Sequence, residues 1–227
     1  MTEPTVVIAL SGLDGAGKSS QAARLATRLK ESGHPADVHW MPLGHSSLQR
    51  RLKGVVRCFR RRTDGAGGDA SGEAILSVNG VSKSRRRHHP AVTHLWVSLL
   101  AIIYGLHFRR VARSGRHRVV VFDRYALDAI AQSRYFYAPK ANFRVARFLF
   151  RTIAPTPHRS YLLAVAGEVA LARKQEQYDV RQLDMQARLL AEEADRMHVT
   201  VLDGTRPADD LSDMLVSETL SAISASS

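Results

Sequence analysis

The chain is poor in cysteine, and it has no long apolar run. Cys58 is the single cysteine among 227 residues, which excludes an internal disulfide and favours a reducing compartment. Thr2, Glu3 and Pro4 lead directly into the first apolar segment, so we expect no secretory signal. The most apolar stretch, residues 95–106, is too short to span a bilayer and predicts a buried helix. We therefore expect a cytoplasmic protein without a transmembrane segment.

Acidic residues are scarce relative to basic ones, and the imbalance is confined to part of the chain. The sequence has 33 Lys and Arg residues, 21 Asp and Glu residues and a net charge of +12. Residues 46–90 hold 11 of the basic residues and 3 of the acidic ones, and residues 109–118 hold 5 arginines and no acid. Such charge runs are usually solvated loops, but a basic insertion also fits nucleic acid or an anionic membrane surface.

A glycine-rich motif lies near the N-terminus. Residues Gly12–Ser19 read Gly-Leu-Asp-Gly-Ala-Gly-Lys-Ser and match the phosphate-binding pattern G-x-x-x-x-G-K-[ST] at every specified position. The β-branched run Val6–Leu10 before it predicts a buried strand, and Ser20–Lys30 after it predicts a helix with one apolar face. Strand, glycine loop and helix is the context that this motif requires.

These residue types suit the binding of a nucleoside triphosphate. Glycines let backbone N–H groups surround phosphate oxygens, and the helix N-terminus adds positive partial charge. We expect Lys18 to reach the β- and γ-phosphates and the Ser19 hydroxyl to bind Mg²⁺. The predicted triphosphate-binding residues are Gly12, Leu13, Asp14, Gly15, Ala16, Gly17, Lys18, Ser19 and Ser20.

Strand and helix patterns alternate along the chain and predict an α/β fold, a doubly wound parallel sheet flanked by helices. The predicted strands cover residues 6–10, 36–41, 119–122, 161–165 and 199–202. The predicted helices cover residues 20–30, 46–62, 90–113, 168–174, 180–197 and 207–223, with a further helical stretch that is broken near Pro139 and ends at about residue 153. We expect one domain over residues 1–227, with a basic and mobile insertion at about 61–89.

A second polar cluster follows the predicted strand at 119–122. Asp123, Arg124 and Tyr125 come at its carboxyl end, the edge where parallel sheets bind ligands. Phosphoryl transfer needs a carboxylate for Mg²⁺ or for the acceptor, and cations that spread the charge of the transferred group. Asp123 and Arg124 are therefore candidate catalytic residues, with Asp123 beside Ser19 as a candidate metal ligand. The alternative is an ordinary ion pair at a solvated strand end.

The sequence resembles the thymidylate kinase family in four segments. They are the glycine loop at 12–19, the Asp-Arg-Tyr triplet at 123–125, Glu-Val-Ala-Leu-Ala-Arg-Lys at 168–174 and Val-Leu-Asp-Gly at 201–204. The similarity covers residues 5–30 and 119–220. It implies a fold of the P-loop NTPase and nucleotide kinase type. It also implies transfer of the γ-phosphoryl group of ATP, with Mg²⁺, to a nucleoside monophosphate, with dTMP as the default acceptor.

The resemblance implies roles for individual residues as well. Asp14 would face the acceptor, and Arg124 would clamp the acceptor phosphate. Arg173 and Lys174 fall where the family has a mobile lid that closes over the phosphates, which excludes water and favours transfer over hydrolysis. The adenine would lie near residues 205–207.

The resemblance further implies a homodimer, because the family commonly pairs through long helices. The apolar helix predicted at 91–108 is the candidate interface in this chain.

The acceptor half departs from the family pattern. After its second strand the family carries Thr-Arg-Glu-Pro, whose arginine helps to hold the acceptor, whereas this chain has Val38-His39-Trp40-Met41-Pro42. The basic insertion replaces the family's acceptor-binding middle. The aromatic rings of Trp40, Trp96 or Tyr125 could stack on a base, although single aromatic residues are more often part of a core.

Three alternatives therefore stay open. The chain could transfer phosphate by the same mechanism to a different small-molecule acceptor. It could be an ATP-binding protein whose basic insertion binds nucleic acid, which we do not favour, or an anionic surface. It could also be an inactive remnant of a kinase.

Overall fold

Five parallel strands alternate with seven helices over the residues that the structure, a computed structural model, describes: 5–41, 90–114, 119–174 and 179–226. The strands are β1 (Val6–Gly12), β2 (Ala36–Trp40), β3 (Val119–Asp123), β4 (Arg159–Ala164) and β5 (Thr200–Asp203). The helices are α1 (Lys18–Glu31), α2 (Pro90–Ala112), α3 (Ala126–Tyr137), α4 (Arg144–Ile153), α5 (Gly167–Arg173), α6 (Val180–Met197) and α7 (Ala208–Ser226).

All strand pairs in the sheet are parallel, and the strand order is β2-β3-β1-β4-β5. Every residue of β1 and β3 is buried, which explains why both are rich in β-branched residues and why Asp123, at the end of β3, is the one charged residue in them, since both sheet faces are covered. The register pairs Val6 with Val119 and Leu10 with Asp123. The carboxyl ends of β1 and β3 therefore lie side by side.

The connections that leave these two central strands run in opposite directions. The chain leaves β1 through α1 and reaches β2 beyond β3, whereas the chain leaves β3 through α3 and α4 and reaches β4 beyond β1. Divergence of two neighbouring connections opens a crevice at the carboxyl ends of the strands, and ligands of open α/β sheets bind in such crevices. This crevice lies between the glycine loop and residues 123–125.

Apolar side chains form two separate core clusters, one on each face of the sheet. Ile8 and Leu10 pack with residues of α1 and α7, among them Leu25 and Leu215. On the other face, residues of the glycine loop, β4, α3, α5 and α6 form a second cluster, which contains Leu13, Ala16, Leu127, Leu163, Ala170, Leu183 and Leu190. The glycine loop is thus fixed by apolar contacts on one side.

The helix α2 has nearly the predicted bounds, but it is less buried than its sequence predicts. It has 23 residues, and an 18-residue window has a mean hydropathy of 1.6 with 39% of that window buried. By length and composition the whole helix could cross a membrane, so the expectation of no transmembrane segment stays a prediction. Core helices of soluble proteins meet the same criterion. One face of α2 packs inside the protein through Val97, Leu100, Tyr104 and Phe108, while Leu95 on another face is 68% exposed.

The α/β class and the parallel sheet are confirmed, and the element bounds differ by only a few residues. The strand β4 begins at Arg159, two residues earlier than predicted, because Arg159 pairs with Ile8 of β1. The predicted break near Pro139 separates α3 from α4. The helix predicted at 46–62 and the insertion predicted at 61–89 lie outside the described residues.

Candidate functional site

Three glycines of the loop adopt backbone conformations that other residues avoid. The φ angles are 149° at Gly12, 85° at Gly15 and 87° at Gly17. A Cβ atom on Gly15 would lie 2.4 Å from the Ala170 carbonyl oxygen of α5, whereas one on Gly17 would meet nothing within 4 Å. The loop therefore needs glycine at position 15 for two reasons, conformation and space, and at position 17 for conformation alone.

Lys18, the first residue of α1, points its side chain back into the glycine loop. Its Nζ donates a hydrogen bond to the Leu13 carbonyl oxygen at 2.6 Å, and the residue is only 4% exposed. Burial lowers the pKa of this ammonium group, and the positive charge of Arg124 lowers it further, while Asp128, Asp14 and Asp123 act in the opposite direction. A buried ammonium group beside a glycine-rich loop is suited to binding an anion.

Ser19 and Asp123 meet where β1 and β3 end side by side. The Ser19 hydroxyl donates a hydrogen bond to Asp123 Oδ2 at 2.5 Å. Asp123 is 2% exposed, and its Oδ1 has no hydrogen-bond partner within the part of the chain that the structure describes. An unpartnered carboxylate oxygen in a buried position is costly unless a cation or water satisfies it.

These two oxygen ligands suit a hard cation such as Mg²⁺. Mg²⁺ binds hard oxygen ligands, keeps several waters and commonly takes only one or two protein ligands beside substrate phosphates. Among the described residues, no group of three or more His, Cys, Asp or Glu side chains is placed to hold a metal. A hydroxyl with one carboxylate therefore fits a metal whose remaining ligands come from phosphates and water.

Arg124 holds an ion pair across the crevice with Asp14 of the glycine loop. Arg124 has a φ of 77°, an unusual conformation for a residue with a side chain, and its backbone N–H donates to the Leu10 carbonyl oxygen at 2.9 Å. Such backbone strain persists only where the surroundings enforce it, and it is concentrated at functional sites. The two predicted site residues are thus brought together, in contact with each other.

Asp128 completes the connection between the loop and the turn, and the sequence reasoning missed it. Its Oδ1 accepts a hydrogen bond from the Gly12 N–H at 3.2 Å, and its Oδ2 accepts one from the Tyr125 N–H at 3.0 Å. The carboxylate is 3% exposed and lies in the first turn of α3. An Asp at the third position of a helix that follows a buried strand is the capping signal that could have indicated it.

The predicted lid residues, Arg173 and Lys174, lie at the C-terminal end of α5, the helix whose Ala170 faces Gly15 of the glycine loop. Arg173, at the end of α5, donates a hydrogen bond from Nη1 to the Gly204 carbonyl oxygen at 2.9 Å, so its guanidinium lies at the turn after β5. Lys174 is exposed immediately after α5, and residues 175–178 are outside the described ranges. The N-terminus of α5 is fixed, because the Gly167 N–H donates to Asp184 Oδ1 at 2.9 Å.

The three aromatic candidates for stacking differ in exposure. Tyr125 belongs to the core, with its ring 4.1 Å from that of Phe108 between centroids and its hydroxyl donating to the Pro155 carbonyl oxygen at 2.6 Å. Burial raises the pKa of the Tyr125 hydroxyl. Trp96 is half-buried in α2, whereas Trp40 is 61% exposed at the carboxyl end of β2, opposite Asp123 in the register. Trp40 is the aromatic side chain of the three that a ligand can reach freely.

Among the described residues, the crevice at the ends of β1 and β3 offers a buried ammonium group, a guanidinium group, three carboxylates and the glycine loop. This combination can bind a polyanion and a hard cation next to each other, which is the chemistry that phosphate-transferring sites share. Comparison of the sequence with protein-family models finds no match, and comparison with curated proteins finds none either.

Proposed function

We propose that the protein is an ATP-dependent phosphotransferase of the thymidylate kinase type, with a P-loop fold. It would transfer the γ-phosphoryl group of ATP to a nucleoside monophosphate, with dTMP as the default acceptor. The observation that carries the proposal is the meeting of Lys18, Ser19 and Asp123 at the diverging ends of β1 and β3, beside a loop of left-handed glycines.

The glycine loop would hold the donor phosphates of ATP. Its left-handed glycines let the backbone amides turn towards one point, and the N-terminus of the 14-residue helix α1 adds positive partial charge at the same point. Lys18 would exchange its hydrogen bond to the Leu13 carbonyl oxygen for one to a phosphate oxygen. That exchange replaces a neutral acceptor with an anion, which strengthens the hydrogen bond.

Ser19 and Asp123 would hold Mg²⁺ between them. A bound Mg²⁺ supplies charge neutralisation for the β- and γ-phosphates. Asp123 Oδ1 has the free lone pairs for this role, and Ser19 would turn its hydroxyl proton away from Asp123 to present oxygen.

Arg124 and Asp14 would handle the acceptor. A guanidinium carries five N–H donors, so Arg124 can keep Asp14 on one edge and bind an acceptor phosphate on the other. Asp14 would then lie close to the acceptor sugar. The ion pair with Asp14 would hold the Arg124 side chain in place before substrate arrives, which would reduce the entropy lost on binding.

Arg173 and Lys174 would close over the transferring group. To do so, Arg173 has to release the Gly204 carbonyl oxygen at 2.9 Å, whereas the start of α5 stays fixed by Asp184. Motion confined to the end of a short helix is the kind of local closure that excludes water in kinases.

A different acceptor for the same reaction is the second candidate. In β2, Val38, His39 and Trp40 occupy positions where the family has an arginine that holds the acceptor. The segment that would complete the acceptor site begins after Met41, beyond the described residues. Sugar phosphates and other nucleoside monophosphates are therefore included in the test.

The proposal is tested by measuring ADP release from Mg·ATP with a panel of acceptors: dTMP, dUMP, the other nucleoside monophosphates and sugar phosphates. We expect acceptor-dependent turnover that Asp123→Asn abolishes, because Asn cannot supply the anionic oxygen for Mg²⁺. Ser133→Ala serves as the matched control, since Ser133 donates only to a helical carbonyl in α3. ATP binding without phosphorylation of any acceptor would favour an ATP-binding protein or an inactive remnant over a kinase. A steep loss of nucleic-acid affinity with rising salt concentration would identify a nucleic-acid-binding protein.

A further inference from the structure

The surface formed by α2 and α4 contains no acidic residue. Residues 74–122, which include α2, have no Asp or Glu, and residues 129–167, which include α4, have none either. In a chain with 21 acidic residues, two such stretches leave both helices without any carboxylate of their own. Every charged side chain on these two helices is therefore positive.

The outer face of α2 exposes large aliphatic side chains. Val92 is 54% exposed, Leu95 is 68% exposed and Leu106 is 55% exposed. These residues are three and eleven positions apart, close to whole numbers of helical turns, so they lie on one face. Val97 and Phe108 lie on the face that packs inside the protein.

The helix α4 lies beside α2 and extends the same surface. A Cβ atom on Gly105 of α2 would lie 3.0 Å from the side chain of Ile153 at the end of α4. At the other end of the pair, the ring of His94 in α2 lies 5.0 Å from that of Phe143, which precedes α4. On the outer side of α4, Val145 is 58% exposed and Phe148 is 64% exposed.

The same two helices carry exposed arginines. Arg109, Arg110 and Arg113 are exposed at the C-terminal end of α2, and Arg144 and Arg151 are exposed on α4. We call the five exposed apolar residues and these five arginines the α2–α4 face. Long basic side chains at the border of an apolar patch can reach an anionic layer while the apolar side chains enter a less polar one.

We propose that the α2–α4 face docks on the surface of an anionic lipid bilayer. The exposed aliphatic side chains would enter the boundary between headgroups and acyl chains, and the arginines would bind the anionic headgroups. Because one face of α2 packs against the protein core, the helix would lie along the membrane surface rather than cross it. The proposal concerns a surface outside the phosphate-binding crevice, so it does not depend on the proposed kinase activity.

The charges on the α2–α4 face favour an anionic membrane over two other possible partners, a second copy of the chain and nucleic acid. Pairing of two α2–α4 faces in a homodimer would bring arginines together without a carboxylate from either helix to neutralise them. Nucleic acid would satisfy the arginines but would leave Leu95, Leu106 and Val145 without an apolar partner, since its backbone is charged. An anionic bilayer satisfies both kinds of side chain.

The first test is flotation of the full chain with vesicles. We expect binding to vesicles of phosphatidylglycerol and phosphatidylcholine in equal parts, weaker binding at higher salt, and none to phosphatidylcholine alone. The variant Leu95→Ser with Leu106→Ser keeps every charge and should bind at least about tenfold more weakly, since two Leu side chains no longer enter the bilayer. Met185→Ser with Val201→Ser changes two exposed apolar residues of α6 and β5 and should bind as the wild type does.

A second measurement locates the contact. The chain has two tryptophans, so Trp40→Phe leaves Trp96, next to Leu95 in α2, as the sole tryptophan. We expect brominated lipids in the anionic vesicles to quench Trp96 fluorescence, because bromine quenches only at close range. Vesicle binding with no quenching, or equal binding by the Leu95→Ser and Leu106→Ser variant, would overturn the proposal by assigning the contact to other basic residues. A dimeric wild type that this variant makes monomeric would also overturn it, because the face would then be a subunit interface.

Discussion

Gly15 and Gly17 have nearly the same backbone conformation but different surroundings, which makes a matched pair of substitutions informative. Their φ angles are 85° and 87°. In both positions Ala adopts a left-handed conformation at a cost of about 1–2 kcal/mol. Only at Gly15 does the new Cβ meet backbone, the Ala170 carbonyl oxygen at 2.4 Å. Forcing α5 away from the loop adds about 1–3 kcal/mol, the range observed for overpacked cores.

We therefore expect Gly17→Ala to lower the free energy of unfolding by about 1–2 kcal/mol and Gly15→Ala to lower it by about 2–5 kcal/mol. The stiffening of the unfolded chain by Ala is the same in both variants, so it cancels in the difference between them. The assay is urea unfolding followed by far-ultraviolet circular dichroism, without nucleotide. Equal destabilisation of the two variants would refute the close contact between the glycine loop and α5.

Three further predictions concern buried charges. Lys18→Met should raise the free energy of unfolding at neutral pH, measured by urea unfolding. Burial and Arg124 lower the pKa of Lys18, so its charged form destabilises the folded state. Because the folded-state pKa is below the unfolded-state pKa, the wild-type free energy of unfolding should rise with pH up to the usual titration range of lysine. Glu193→Ala should lower the free energy of unfolding by about 3–5 kcal/mol in the same assay, because Glu193 is fully buried and its loss would leave the positive charges of its arginine partners uncompensated. Glu192→Ala, which removes a more exposed carboxylate, should lower the free energy of unfolding by about 1 kcal/mol or less. Asp128→Asn should shift the alkaline loss of ATP binding to lower pH in a titration series, because the charge of Asp128 raises the pKa of Lys18. An unchanged pH profile would contradict this effect of Asp128 on Lys18.

The central part of the fold could be predicted because its signals are local. The strand β1 and residues 119–122 of β3 are continuous uncharged runs, which is the composition typical of a fully buried parallel strand. The glycine loop required left-handed conformations, and the structure has them at Gly12, Gly15 and Gly17. The strand that carries Asp123 was predicted, and its pairing with β1 brings Asp123 to Ser19.

The remaining features depend on contacts between distant parts of the chain, which no local pattern encodes. The capping contact of Asp128 with Tyr125 has a local signal, but its contact with Gly12, 116 residues away, has none. The exposure of Leu95 could not be predicted, because the sequence of a uniformly apolar helix does not show which of its faces packs inside the protein. The contact of Arg173 with Gly204 depends on how α5 and the β5 turn meet in space. The acceptor stays a prediction, because the segment that would complete its site begins after Met41, beyond the described residues.

The central claim is that the glycine loop binds Mg·ATP through Lys18. The most direct measurement is isothermal titration of the wild type and of Lys18→Met with ATP in the presence of Mg²⁺. We predict one site in the wild type and at least about tenfold weaker binding by Lys18→Met, the equivalent of one charge-assisted hydrogen bond, in a protein that is no less stable. Equal affinity of the two proteins for Mg·ATP would contradict the claim, because the triphosphate would then bind elsewhere.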